Sequence, residues 1–135
     1  MSMLFPKKIC LFSGFTGQVT ISGSPVGEVL VKRSFEFEGK TTEEEITTNS
    51  HGYFTFESVW TKTPVSFLIQ FVVQQRIYVY VNEKEYIIWG GAKLIEDEFG
   101  EFNGKVPKNL VCKLEEDIRR VDMEIGAIGT NCYWE

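Results

Sequence analysis

One histidine, three cysteines and 19 carboxylates carry whatever chemistry this 135-residue chain could perform. His51 stands in Asn49-Ser50-His51-Gly52, and a Ser-His-Asp relay would have to use it. A turn position before glycine faces solvent, where neither a nucleophile nor an orienting carboxylate is held against the ring. Zinc needs several His or Cys ligands in coordinating groups, whereas Cys10, Cys112 and Cys132 are scattered. Glycoside hydrolysis needs two carboxylates opposed across a cleft; a chain so rich in Glu offers many pairs and singles out none. Glu96-Asp97-Glu98-Phe99-Gly100-Glu101 lacks the ligand spacing of an EF-hand loop. Gly90-Gly91 follows Trp89 and precedes no helix, so it is no phosphate cradle. The sequence therefore predicts no catalytic residue, no metal and no cofactor.

Binding is the chemistry left. Two acidic segments are the candidates: Glu36, Glu38, Glu43, Glu44 and Glu45 in one, and Glu96, Asp97, Glu98 and Glu101 in the other. Carboxylates grouped in this way suit an electrostatic contact with a basic partner. The three tryptophans, Trp60, Trp89 and Trp134, could form a carbohydrate platform or an interface hot spot. Trp89, beside the Gly pair, is the candidate among them.

The elements that must position these residues are strands. Ile9 to Ser13 and Gly17 to Ser22 are short apolar runs, and Ser22-Gly23-Ser24-Pro25 is a turn. From Glu28 to Glu38, Val29, Val31, Arg33, Phe35 and Phe37 share one face, with Arg33 out of character. Gly39-Lys40-Thr41 turns the chain back through Glu43 to Thr48, predicting a two-stranded ribbon with an acidic tip. Tyr53 to Trp60 alternates as one strand, and Val65 to Val73 is a buried strand or helix by periodicity, with its Val, Ile and Phe favouring the strand. Ile77, Val79 and Val81 alternate with Tyr78 and Tyr80, and Tyr86 to Trp89 returns as a hairpin partner that Gly90-Gly91 ends. Residues 96–109 read as a long loop. Leu110 to Leu114 is a strand, Glu115 to Arg120 has the spacing of a short helical turn, and 120–125 and 127–134 close the sheet. The expected fold is a single all-β antiparallel sandwich over residues 1–135, in Greek-key order, with at most one helical turn.

Charge narrows the partners. The net charge is −5, and only four of the 14 basic residues are Arg. A nucleic-acid or anionic-membrane binder needs a basic face, and none is gathered here. The apolar run after Lys7-Lys8 is too short for a secretory core and no run approaches a membrane span, which predicts a cytoplasmic protein. Cys112 and Cys132 would pair only if their strands are neighbours and the compartment oxidises, which would make it periplasmic. Buried free thiols are the expectation otherwise.

One stretch carries a resemblance. Gly17, Val19, Gly23, Pro25, Val26, Gly27 and Val29, followed by Thr47, Thr48, Asn49, Gly52, Phe54 and Phe56, resemble the carboxypeptidase-regulatory-like, or transthyretin-like, β-sandwich family. The family usually has Ala where this chain has Glu28, and its ribbon is shorter and less acidic. With Leu110-Val111-Cys112-Lys113-Leu114 and Gly129-Thr130-Asn131-Cys132-Tyr133-Trp134, the whole chain is similar to small stand-alone bacterial proteins of that fold. The resemblance implies accessory roles: protein binding, support of a neighbouring domain, or surface attachment. The expectation is a non-enzymatic bacterial protein-interaction protein, in its specific form an immunity or accessory protein that binds a basic secreted effector. The alternative is a module for a carbohydrate or cell-wall ligand.

Overall fold

A computed structural model describes residues 6–64 and 71–135. Alternation of burial builds most of its strands. β1 (Pro6–Phe12), β2 (Phe15–Ile21) and the two-residue β3 (Ser24–Pro25) open the chain. β4 (Leu30–Phe37), β5 (Lys40–Thr47), β6 (Tyr53–Phe56) and β7 (Val59–Pro64) follow. β8 (Val73–Val81) and β9 (Lys84–Lys93) form a long hairpin. β10 (Val111–Lys113), β11 (Arg119–Asp122), β12 (Ala127–Thr130) and β13 (Cys132–Tyr133) come last, with a 3₁₀ turn at Gly100–Phe102 before them.

The fold is the expected all-β sandwich of open sheets. One layer has the strand order β11-β12-β9-β8-β4-β5. The other contains β13-β10-β2-β3, with β6 also on β2, and a separate pair, β1 with β7. Among the described residues all pairings are antiparallel except β2 with β10, which run parallel with Cys112 opposite Val19. The layers meet through aromatic rings: Phe15 contacts Trp89 at 5.2 Å between centroids, and Phe12 contacts Phe35 at 6.1 Å. Val31, Ile77 and Val79 are fully buried on the inner face of the larger sheet, each worth about 1.5–3 kcal/mol of transfer free energy.

Three hairpins turn on two residues, Ser22-Gly23, Glu38-Gly39 and Asn82-Glu83, all with positive φ. Paired positive φ values match the right-handed twist of the strands they join. The Asn49 turn is held by its side chain, whose Oδ1 accepts the amides of His51 at 2.9 Å and Tyr53 at 3.0 Å. Gly52 there has φ +83°, and a Cβ would lie 2.7 Å from the Val19 carbonyl oxygen.

Several expectations change. The 36–45 segment is no free ribbon: β4 also pairs with β8, and β5 is the edge of the six-stranded sheet. Tyr53 to Trp60 is two strands, broken at Glu57-Ser58. Gly90-Gly91 does not end β9, which runs on to Lys93. At Gly91 φ is +151° and a Cβ would meet the Ala127 carbonyl at 3.1 Å, so glycine serves close strand approach here. No helical turn forms at 115–120; a 3₁₀ turn lies instead at Gly100–Phe102. Of the expected Val65–Val73 element, residues 65–70 lie outside the described residues, and Val73 begins β8. Cys112 and Cys132 are not free thiols: they face each other across β10 and β13 and form a disulfide. Cys10 is the buried free thiol.

Candidate functional site

The acidic segments divide between structure and surface. Glu36, Glu43 and Glu45 are exposed along β4 and β5 and Glu38 in the turn between them, with Glu43 3.6 Å from Lys32 Nζ. Glu44 points the other way: its Oε1 accepts from Arg33 Nε at 2.8 Å. In the second segment, Glu96 pairs with Lys7 at 2.8 Å and Glu98 accepts from Ser58 Oγ at 2.5 Å, whereas Asp97 is exposed. The Lys7 bond holds the Glu96 carboxyl below its ordinary value. Glu101 is buried and is not a surface contact.

Glu101 belongs to a polar cluster that the sequence reading missed. β2 and β6 bend at Ser13-Gly14 and Glu57-Ser58 to continue as β1 and β7, and the bend frees backbone groups that must find partners. Glu101 accepts from the Ser13 amide at 2.8 Å and the Ser13 hydroxyl at 2.5 Å. Arg33, fully buried, donates to the Ser13 carbonyl at 3.1 Å and the Glu57 carbonyl at 2.6 Å. Its guanidinium lies 4.6 Å from the ring centres of both Phe12 and Phe56. Burial lowers the Arg33 pKa, and Glu44 opposes that shift. Gln75 donates to Glu101 at 2.9 Å and to the Leu11 carbonyl at 3.1 Å, and accepts Trp89 Nε1 at 3.0 Å. Lys93 donates to the Ile95 carbonyl and to the Asp97 carbonyl, and lies 3.8 Å from Glu101. Burial lowers the Lys93 pKa, against the pull of Glu101.

Ser13, Glu101 and Lys93 are residue types found in active sites. Here each is buried and saturated with internal partners, and none lines the grooves on the surface. Their work is to lock a bend and to fasten the 94–103 segment over it. The sequence signal was a polar residue in the inward phase of a strand: Arg33 between Val31 and Phe35, and Gln75 between Val73 and Ile77.

Trp89 is not a surface residue either. It is 0% exposed, because an irregularity between Ile77 and Tyr78 puts both Ile88 and Trp89 inside. Trp134 packs on Trp89 and Phe102, at 6.1 and 5.2 Å. Trp60 alone of the three is well exposed, at 39%, with Lys8 Nζ 4.5 Å above its ring. A three-tryptophan platform for sugar does not exist on this surface.

The fold assembles a different site at one end of the sandwich. A groove of about 550 Å³ runs between the start of β9 and the segment after β10. Ile21, Tyr86, Ile87, Leu114 and Ile118 give it apolar walls. Glu85, Glu115, Glu116 and Asp117 give it four carboxylates, against the single ammonium of Lys84. The amides of Glu115 and Ser22 hold the Glu115 carboxyl below its ordinary value, so it stays ionised. Glu116 accepts from Tyr133 Oη and lies 3.8 Å from Lys113. Tyr80 Oη donates to Glu85 at 3.0 Å. Asp117 has no ion pair among the described residues. Pattern reading passed over Glu115-Glu116-Asp117 because Leu114, Ile118 and Val121 suggested a helical turn. The useful signal was a triple acid bracketed by Leu114 and Ile118.

A family model described as Domain of unknown function (DUF6795) matches residues 15–117. That span takes in the four groove carboxylates. No curated protein and no solved structure matches the chain.

Proposed function

The chain belongs to the family described as Domain of unknown function (DUF6795), and from that premise we propose a non-enzymatic protein-interaction protein that captures a basic partner. The single observation that carries this reading is the end groove, where four carboxylates stand around apolar walls. Opposite charge steers a partner in, and apolar contact retains it. A secreted basic effector, bound by an immunity or accessory protein, is the specific form of this role. The resemblance of the Gly17–Phe56 stretch to the transthyretin-like family suits such an accessory role. The disulfide supports an oxidising compartment, the periplasm, over the cytoplasm. No described helix is long and apolar enough to cross a membrane.

The test is affinity capture from the native cell with the wild type and with a Glu85→Gln/Glu115→Gln/Asp117→Asn variant. These positions are exposed, where substitutions shift stability by about 0.5 kcal/mol or less. A basic protein should be recovered by the wild type, and its recovery should fall in the variant and in 1 M salt. No partner, or a partner indifferent to both changes, overturns the reading.

A further inference from the structure

Side-chain acceptors outnumber donors in the groove. Four carboxylates stand in its lining. Asn131 joins them, and its side chain is unlike theirs because the residue is only 2% exposed. Its amide nitrogen reaches the Glu116 carbonyl at 3.5 Å, the outer limit of a hydrogen bond. Its side-chain oxygen contacts Cys132 Sγ at 3.9 Å. That sulfur is bonded to Cys112 and has no proton to give. A buried amide oxygen without a true donor is costly unless something supplies one.

We propose that the groove is a receptor for an arginine side chain presented by a partner polypeptide between apolar residues. The inference rests on the interaction reading above and names the group recognised. A guanidinium carries five N–H donors in a planar fork and accepts nothing, which complements dispersed acceptors. It is more weakly hydrated than an ammonium and tolerates apolar walls such as Ile21, Ile87 and Ile118. Lysine offers a compact, strongly hydrated charge whose three donors sit on one atom, and it costs more to bring against apolar walls. Flanking apolar residues would cover Ile87 and Ile118, which are 36% and 43% exposed.

The experiment is an ¹⁵N-detected NMR titration of the full chain, disulfide intact, with acetyl-Leu-Arg-Leu-amide. The same peptide with lysine or citrulline in place of arginine provides the comparison; citrulline keeps the shape and removes the charge. Amide shifts should centre on Glu85, Ile87, Glu115, Asp117 and Asn131. The arginine peptide should bind about tenfold more tightly than either analogue, the scale of one charge-assisted hydrogen bond. Asp117→Asn, at an exposed position that does not threaten folding, should weaken it by a similar factor. Shifts centred elsewhere, or equal affinity for the citrulline or lysine peptide, overturn the assignment. If a basic partner is captured through the rim while the peptides are not discriminated, only this inference falls. If the arginine peptide alone is selected and no partner is found, the inference stands and the broader role falls.

Discussion

Replacing Glu101 with alanine should cost about 4 kcal/mol of folding free energy. The carboxylate accepts two hydrogen bonds from Ser13 and one from Gln75, and faces the buried Lys93 ammonium at 3.8 Å. Its loss does not harm every partner equally. The Gln75 amide keeps the Leu11 carbonyl, and Lys93 keeps the Ile95 and Asp97 carbonyls. The Ser13 amide, fully buried, keeps nothing. One orphaned buried donor costs about 1–3 kcal/mol, and removing one partner from a buried charge pair costs about 3–5 kcal/mol. These penalties overlap, which places the total near the middle of the second range. Glu101→Gln retains an acceptor for the Ser13 amide and should cost about half as much. Urea unfolding followed by tryptophan fluorescence, with Trp89 as buried reporter and the disulfide intact, measures both. Adding Lys93→Met to Glu101→Gln should restore part of the loss, because no unpaired cation then stays inside. An alanine variant within about 1 kcal/mol of wild type, or a glutamine variant as damaged as the alanine one, would refute the view that this carboxylate locks the bend.

Two smaller outcomes follow from other contacts. Reducing Cys112–Cys132, whose residues are 20 apart in sequence, should lower stability by about 3 kcal/mol through the freed loop; urea midpoints with and without a thiol reductant check it. Glu96, held below its ordinary value of 4.5 by Lys7, contributes stability that is fully present above that value and lost as pH falls through its folded pKa. The stability gap between wild type and Glu96→Gln should therefore be small and constant near neutrality and should close below pH 4.5; a gap that widens in acid contradicts the pairing.

The strands whose faces alternate were legible in the sequence. β8 buries Val73, Ile77 and Val79 and turns Tyr78 and Tyr80 outward, as its period of two demands. β9 was not legible in the same way. Tyr86-Ile87-Ile88-Trp89 is a continuous apolar run with no phase to read, and the irregularity opposite Tyr78 decides which side chains go in. Gly90-Gly91 looked like punctuation because the strand that approaches it, β12, lies far along the chain. Glu101 looked like solvated loop charge because its partner Ser13 is 88 residues away. The groove shares that difficulty: Ile21, Glu85 and Asp117 meet only because β2, the β8–β9 turn and the segment after β10 end at the same edge. Local pattern finds faces, whereas the contacts that make a site are between distant segments.

Arg33 has a further consequence for how the larger sheet finds its alignment. Hydrophobic alternation forbids β4 to slide by one residue, since every side chain would change faces. It tolerates a slide by two, which returns apolar residues to apolar positions. Such a slide would carry the guanidinium about 7 Å along the strand, away from the Ser13 and Glu57 carbonyls it satisfies. A buried cation and two buried carbonyl oxygens would then be stranded together. The residue that looks like a fault in an apolar face is thus the one that rejects misaligned pairings of β4 with β5 and β8, the errors that expose strand edges and seed aggregation.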